Sequence, residues 1–101
     1  MHKTYVINVP PSADLSQLQY YVQVDPRVLS YWNYLPYLFC VKTEMTAKEI
    51  AETFSDVSDS MFVAEINPQN VYGRLPKAAW EWFKAPVGSR KSLPDQPGAM
   101  G

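Results

Sequence analysis

The sequence predicts a single α+β domain in which an antiparallel sheet is covered by helices. Three observations lead to this fold class. Short apolar runs at residues 5–9, 38–41 and 61–66 have the length and composition of strands. The stretches between them repeat apolar residues every three or four positions, as one face of a helix does. With 101 residues, 47% of them hydrophobic, the chain suits one domain with a substantial core.

The predicted strands differ in how they fit into the sheet. Residues 3–9 are nearly continuously apolar, which is typical of a central strand. Aromatic and β-branched residues at 31–34 and at Leu38–Thr43 predict two adjacent strands, with Pro36 in the connection and outside the hydrogen-bonded ladder. Residues 61–66 form the last predicted strand, which the Asn-Pro pair after it ends.

Helix starts are marked by capping residues. Asp14 is an N-cap residue type, and Gln17 stands at the third helical position, as in a capping box. Thr46 and Glu49 give the second helix the same T-x-x-E signal. A last short helix is predicted over Lys77–Lys84. The apolar faces of the three helices comprise Leu15, Leu18, Val22, Ile50, Phe54, Val57, Ala79 and Phe83.

The predicted order is therefore βαββαβ followed by a short helix, which is the order of the ferredoxin-like sandwich. We expect this domain to span residues 1–85. Residues 86–101 are rich in Pro, Gly, Ser and charge, and we expect a disordered tail there. Two helices on one sheet face would leave the other face open, and an exposed apolar face usually has a partner. Homodimerisation through that face or an edge strand is the simplest expectation.

Composition makes several function classes less favourable. The net charge of −1 and the thin spread of Lys and Arg disfavour a nucleic-acid binder. Cys40 lies in an apolar run and suits a small buried residue, since a catalytic thiol needs a base and the only histidine is His2. No apolar run has the length of a membrane span, and the N-terminus lacks a signal-peptide pattern. We expect a cytoplasmic protein that makes no contact with membranes.

Four segments in a particular order resemble a known group of proteins. They are KTYVIN at Lys3–Asn8, YWNYLPYLFCVKT at residues 31–43 with TAKEI after it, DSMFVAEI at 59–66 and LPKAAWEWF at 75–83. This pattern is similar to the SinR-like small bacterial and phage proteins. The resemblance implies the ferredoxin-like fold that they share with CRISPR-associated adaptation nucleases and VapD-type endoribonucleases.

The resemblance also implies where a nuclease of this kind would carry its metal-binding aspartate. The nuclease relatives carry an aspartate at the end of the first strand, where a symmetric dimer holds Mg²⁺ or Mn²⁺ between two carboxylates. This chain has Asn8 and Val9 there instead. A nuclease would have to bind its ion through Asn8, Asp14 or Asp59, and the lost carboxylate disfavours that activity. We therefore expect neither a catalytic residue nor a metal or other cofactor.

Dense aromatic residues are the strongest hint of a binding role. Tyr31, Trp32, Tyr34, Trp80 and Trp82 are predicted interface residues, although part of this group must fill the core. Trp80 and Trp82 cannot share a helix face, so one should be buried and the other partly exposed.

Three functions follow in order of preference. The leading hypothesis is a non-enzymatic interaction protein, a homodimer of phage or mobile-element origin that contacts another protein. The first alternative is a metal-dependent endoribonuclease or endonuclease. The second is nucleic-acid binding without cleavage, for which Arg74 and Lys77 at the start of the last helix are the candidate phosphate contacts. Ordinary solvated charges are the favoured interpretation of those two residues.

Overall fold

The computed structural model describes residues 2–87 and confirms the predicted α+β class. Its elements follow the order βαββαβα, with a single 3-10 turn at Ser55–Val57 after the second helix. The strands are β1 (Lys3–Asn8), β2 (Val28–Leu35), β3 (Leu38–Thr43) and β4 (Phe62–Ile66), and the helices are α1 (Leu15–Val24), α2 (Ala47–Thr53) and α3 (Lys77–Lys84). Apart from residues 86 and 87, the expected tail lies outside the described residues.

The strands form one antiparallel sheet in the spatial order β2-β3-β1-β4. As its continuous apolar character predicts, β1 is central, and it pairs with β3 on one side and β4 on the other. The two edge strands differ in regularity. The register of β2 against β3 shifts twice, whereas β4 pairs with β1 without interruption.

The larger core lies between α1, α2 and one face of the sheet. Leu18 and Val22 of α1, Ile50 of α2 and the adjacent Phe54 are fully buried there, as the helical spacing predicts. The α2 capping box is complete, with Thr46 and Glu49 bonded reciprocally. Other members of this core are Tyr5, Ile7, Val9, Val28, Tyr31, Phe39, Val41, Met45 and Val57.

The opposite sheet face is open over only part of its area, which corrects the expectation from sequence. There α3 packs over the β2–β3 half and forms a second core of Trp32, Cys40, Ala79 and Trp82. The indole ring of Trp82 meets that of Trp32 edge to face, with ring centroids 6.3 Å apart. The sequence predicts two main helices on one face, but it does not predict where the short third helix packs.

None of the helices among residues 2–87 is long and apolar enough to cross a bilayer.

Candidate functional site

The five aromatic residues expected at an interface divide between core and surface. Tyr31, Trp32 and Trp82 are buried within the chain itself, so their side chains offer no surface to a partner. This corrects their assignment: Tyr31 fills the larger core and the two tryptophans fill the smaller one. Tyr34 and Trp80 are half-buried and reach the surface. As predicted, one tryptophan of the α3 pair is buried and the other is partly exposed.

Two of the three residues named as possible metal ligands have structural tasks, and the third lies in a loop. Asn8 points to the α3 side of the sheet, where its Nδ2 donates a hydrogen bond to the main-chain oxygen of Tyr37 at 3.0 Å. The Asp14 carboxylate caps α1 by accepting from the main-chain N–H of Gln17. Asp59 lies in the exposed loop before β4. Within residues 2–87, no three His, Cys, Asp or Glu side chains converge to hold a metal ion.

The two candidate phosphate contacts are exposed, as solvated charges are. Arg74 lies in the loop before α3. Lys77, the first residue of α3, approaches Glu81 one turn later, with Nζ 3.9 Å from Oε2. The Lys77 side chain is almost fully exposed, so this pair adds little to stability.

Cys40 is buried beneath α3, as its apolar surroundings predict. Burial raises the pKa of its thiol to about 12. The thiolate is the nucleophilic form, so at neutral pH almost none of the reactive species is present. Cys40 is therefore a packing residue of the smaller core.

Lys42 is a buried cation that sequence reasoning missed. Its Nζ donates to the main-chain oxygens of Trp82, at 2.6 Å, and Ala85, at 2.7 Å. Those carbonyls belong to the last turn and cap of α3, where a positive charge is favourable. Lys42 thus fixes the end of α3 to the sheet. The only signal in the sequence was a lysine on the inward-facing alternation of an apolar strand.

The β4 edge carries the most exposed large apolar side chain of the described strands. Phe62 begins this strand and is 64% exposed. It shares the α3 side of the sheet with Ala64, its neighbour two positions on, and with Val6, which pairs with Ala64. Both of those neighbours are half-buried because α3 covers the other half of the face. We call Val6, Phe62 and Ala64 the apolar strip.

A cleft of about 600 Å³ opens on the opposite side of the molecule, between the ends of α1 and α2. On one wall, Tyr21 Oη donates to Asp56 Oδ2 at 2.7 Å, and Gln17 Nε2 donates to Tyr21 Oη at 2.8 Å. The bond to Asp56 is the main cause that raises the pKa of Tyr21. On the other wall, Arg27 makes a two-pronged ion pair with Asp25, at 3.0 and 2.7 Å.

The contact of Gln17 with Tyr21 corrects the prediction of a capping box at α1. The sequence predicted that Gln17 would complete a capping box at α1, but its side chain turns to Tyr21 instead, and only the Asp14 half of the box forms.

Comparisons of the chain with protein-family models, with curated proteins and with solved structures found no match.

Proposed function

We propose that this chain is a non-enzymatic interaction protein that works as a homodimer joined through the β4 edge. The observation that carries the proposal is Phe62, a large aromatic side chain, 64% exposed, on a regular edge strand. The outer edge of such a strand presents unpaired N–H and C=O groups to any second strand. Phe62 and its half-buried neighbours in the apolar strip supply hydrophobic surface beside that edge.

The two edge strands, β2 and β4, differ in how suitable they are for pairing with a strand of a second copy. Irregular pairing twists an edge and interrupts its ladder, and β2 shifts register twice along its length. The regular β4 strand has no such protection along Phe62–Ile66. Pairing between copies is therefore favoured at β4.

A symmetric antiparallel pair of β4 strands has one register that suits its side chains. With Ala64 at the two-fold axis, Phe62 of one copy faces Ile66 of the other, and both belong to the α3 side of the sheet. On the helix side, Val63 faces Glu65 of the other copy. A register centred on Glu65 would instead place two like charges directly opposite each other, which is destabilising.

The oligomeric state tests the proposal. Because each copy contributes one Phe62, we expect Phe62→Glu to weaken self-association between roughly tenfold and a hundredfold. Tyr20→Glu is the matched control, since Tyr20 is an aromatic residue of 60% exposure on α1, away from the sheet. Sedimentation equilibrium over a range of concentrations measures both variants.

Two results would contradict this assignment. One is a strict monomer at the highest soluble concentration, and the other is a dimer that Tyr20→Glu weakens as much as Phe62→Glu does.

Catalysis is tested separately with RNA and DNA substrates in Mg²⁺ and in Mn²⁺, where we expect no cleavage above that of a mock purification. Cleavage that Asp14→Ala or Asp59→Ala abolishes would replace this function with the nuclease alternative.

A further inference from the structure

The cleft between α1 and α2 has the electrostatic character of a cation site. Both helices end at its rim, with Asp25 capping α1 and Phe54 capping α2. The carbonyl end of a helix carries partial negative charge, which natural helices often balance with a basic residue in the last turn. Neither helix has one. Two helix ends without a basic residue in the last turn therefore border the same space.

The charged side chains of the cleft add to the negative charge of the helix ends. Asp25 and Asp56 contribute two carboxylates, while Arg27 contributes the single cation of the lining. Asp25 engages that guanidinium with both of its oxygens. Asp56 has no cationic partner within the described residues, and both bonds that it accepts, from Tyr21 and Gln17, go to Oδ2. The Asp56 carboxylate thus lines the cleft and carries a charge that no cation of the described residues balances.

Four residues of the lining, Tyr21, Val24, Pro26 and Phe54, offer apolar surface to an organic group. The Tyr21 ring stacks on that of Phe54, with centroids 5.9 Å apart and planes 19° apart. Val24, 53% exposed, and Pro26 lie at the rim. A volume of about 600 Å³ is in the range of small-molecule sites. The face of an aromatic ring also attracts a cation.

We propose that this cleft binds a small organic cation, an ammonium group carried on an aromatic or aliphatic body. The ammonium lies against Asp56 and the helix ends, and its apolar body lies on Tyr21, Val24 and Pro26. A neutral molecule of the same shape gains only the second set of contacts. An anion meets two carboxylates and two helix ends of its own sign, and the one guanidinium is already engaged.

The test compares two probes of nearly identical shape, phenethylammonium and the neutral 2-phenylethanol, by titrating ¹⁵N-labelled protein and following amide shifts. We expect saturable shifts at residues 21–27 and 53–56 with a dissociation constant of about 1 mM, as suits so small a ligand. The alcohol should bind at least about fivefold more weakly, because it lacks the charge.

Two variants locate the site. Asp56→Asn keeps an oxygen that accepts from Tyr21 but removes the charge, and we expect it to weaken phenethylammonium binding about fivefold to tenfold. Asp59→Asn is the matched control, because it removes the same charge from an exposed residue outside the cleft. Val24→Lys places an ammonium at the rim and should abolish binding without unfolding the protein, since Val24 is on the surface.

Each contrary result overturns the inference. These results are an absence of saturable shifts, equal binding of the ammonium and the alcohol, and equal losses in Asp56→Asn and Asp59→Asn. The cleft lies on the α1–α2 side of the sheet and the apolar strip on the α3 side, so the binding titration and the sedimentation experiment report on different surfaces.

Discussion

Replacing Trp82 with alanine is expected to lower the free energy of unfolding by about 3–5 kcal/mol, the range for deleting a large buried aromatic side chain. Trp82 is 2% exposed. Its ring packs edge to face against Trp32 and Phe83, with centroids 6.3 and 5.3 Å away. Its Nε1 donates to Ser30 Oγ at 2.6 Å, so the substitution also leaves that hydroxyl without its donor. Small domains have a total stability of only about 5–15 kcal/mol, which makes this a large fraction.

Urea denaturation measures the effect, and two further variants separate its causes. Trp82→Phe keeps most of the packing and loses the bond to Ser30, for an expected cost of about 1–2 kcal/mol. Trp80→Ala makes the same deletion two residues earlier on α3, at a half-buried side chain, and should cost about 1 kcal/mol. Equal losses in Trp80→Ala and Trp82→Ala would show that α3 does not depend on the smaller core.

The parts of the fold that the sequence predicted are those with a local signal. The Thr46 and Glu49 capping box fixes the start of α2 within four residues of chain, and the structure forms it completely. The bounds of α3, Lys77–Lys84, also match, because the proline before it and the change of composition after it act locally. For β1, the continuous apolar pattern correctly indicated a central position.

Features that depend on long-range contact were not predictable in this way. Strand β2 begins at Val28, earlier than predicted, because the neighbouring β3 continues the ladder past the half-buried Ser30. The assignment of Trp32 to an interface failed because α3, some fifty residues later in the chain, covers it. No periodicity within a strand contains that information.

The candidate sites were missed for the same reason. The α1–α2 cleft brings Tyr21 against Asp56, which is 35 residues away. No pattern within the sequence relates these two residues. The apolar strip combines strands from both ends of the domain, Val6 with Phe62 and Ala64. Phe62 looked like an ordinary strand residue until the sheet order placed it at an edge.

Lys42 gives the second large expected effect. Lys42→Ala should lower the free energy of unfolding by about 3 kcal/mol, since it deletes a buried aliphatic stem and removes the Nζ donor from two carbonyls at the end of α3. The Trp82 oxygen still accepts from the Ala85 N–H at 3.3 Å, so the larger loss falls on the Ala85 oxygen. Lys42→Met keeps the stem and should cost less, about 1–2 kcal/mol. If Lys42→Met is as destabilised as Lys42→Ala, the whole effect comes from the amino group and none from the stem. If neither variant is destabilised, Lys42 does not anchor α3 to the sheet. Chemical denaturation of the three proteins at neutral pH compares them.

The pH dependence of the stability that Lys42 contributes tests whether the folded chain favours its neutral amine or its ammonium. Burial lowers the pKa of Lys42 below the ordinary lysine value of 10.5. The native chain therefore binds this proton less tightly than the unfolded chain does, so the stability contributed by Lys42 rises as the pH passes through the native pKa toward 10.5. Subtracting the stability of Lys42→Met from that of the wild type removes groups common to both, and this difference should increase with pH. The neutral amine retains two N–H donors for the carbonyls of Trp82 and Ala85. The stability difference between wild type and Lys42→Met would instead fall with pH if the ammonium were favoured in the folded chain. In that case the carbonyl end of α3 and the Trp82 ring, whose centroid is 4.4 Å from Nζ, would stabilise the charge more than burial destabilises it.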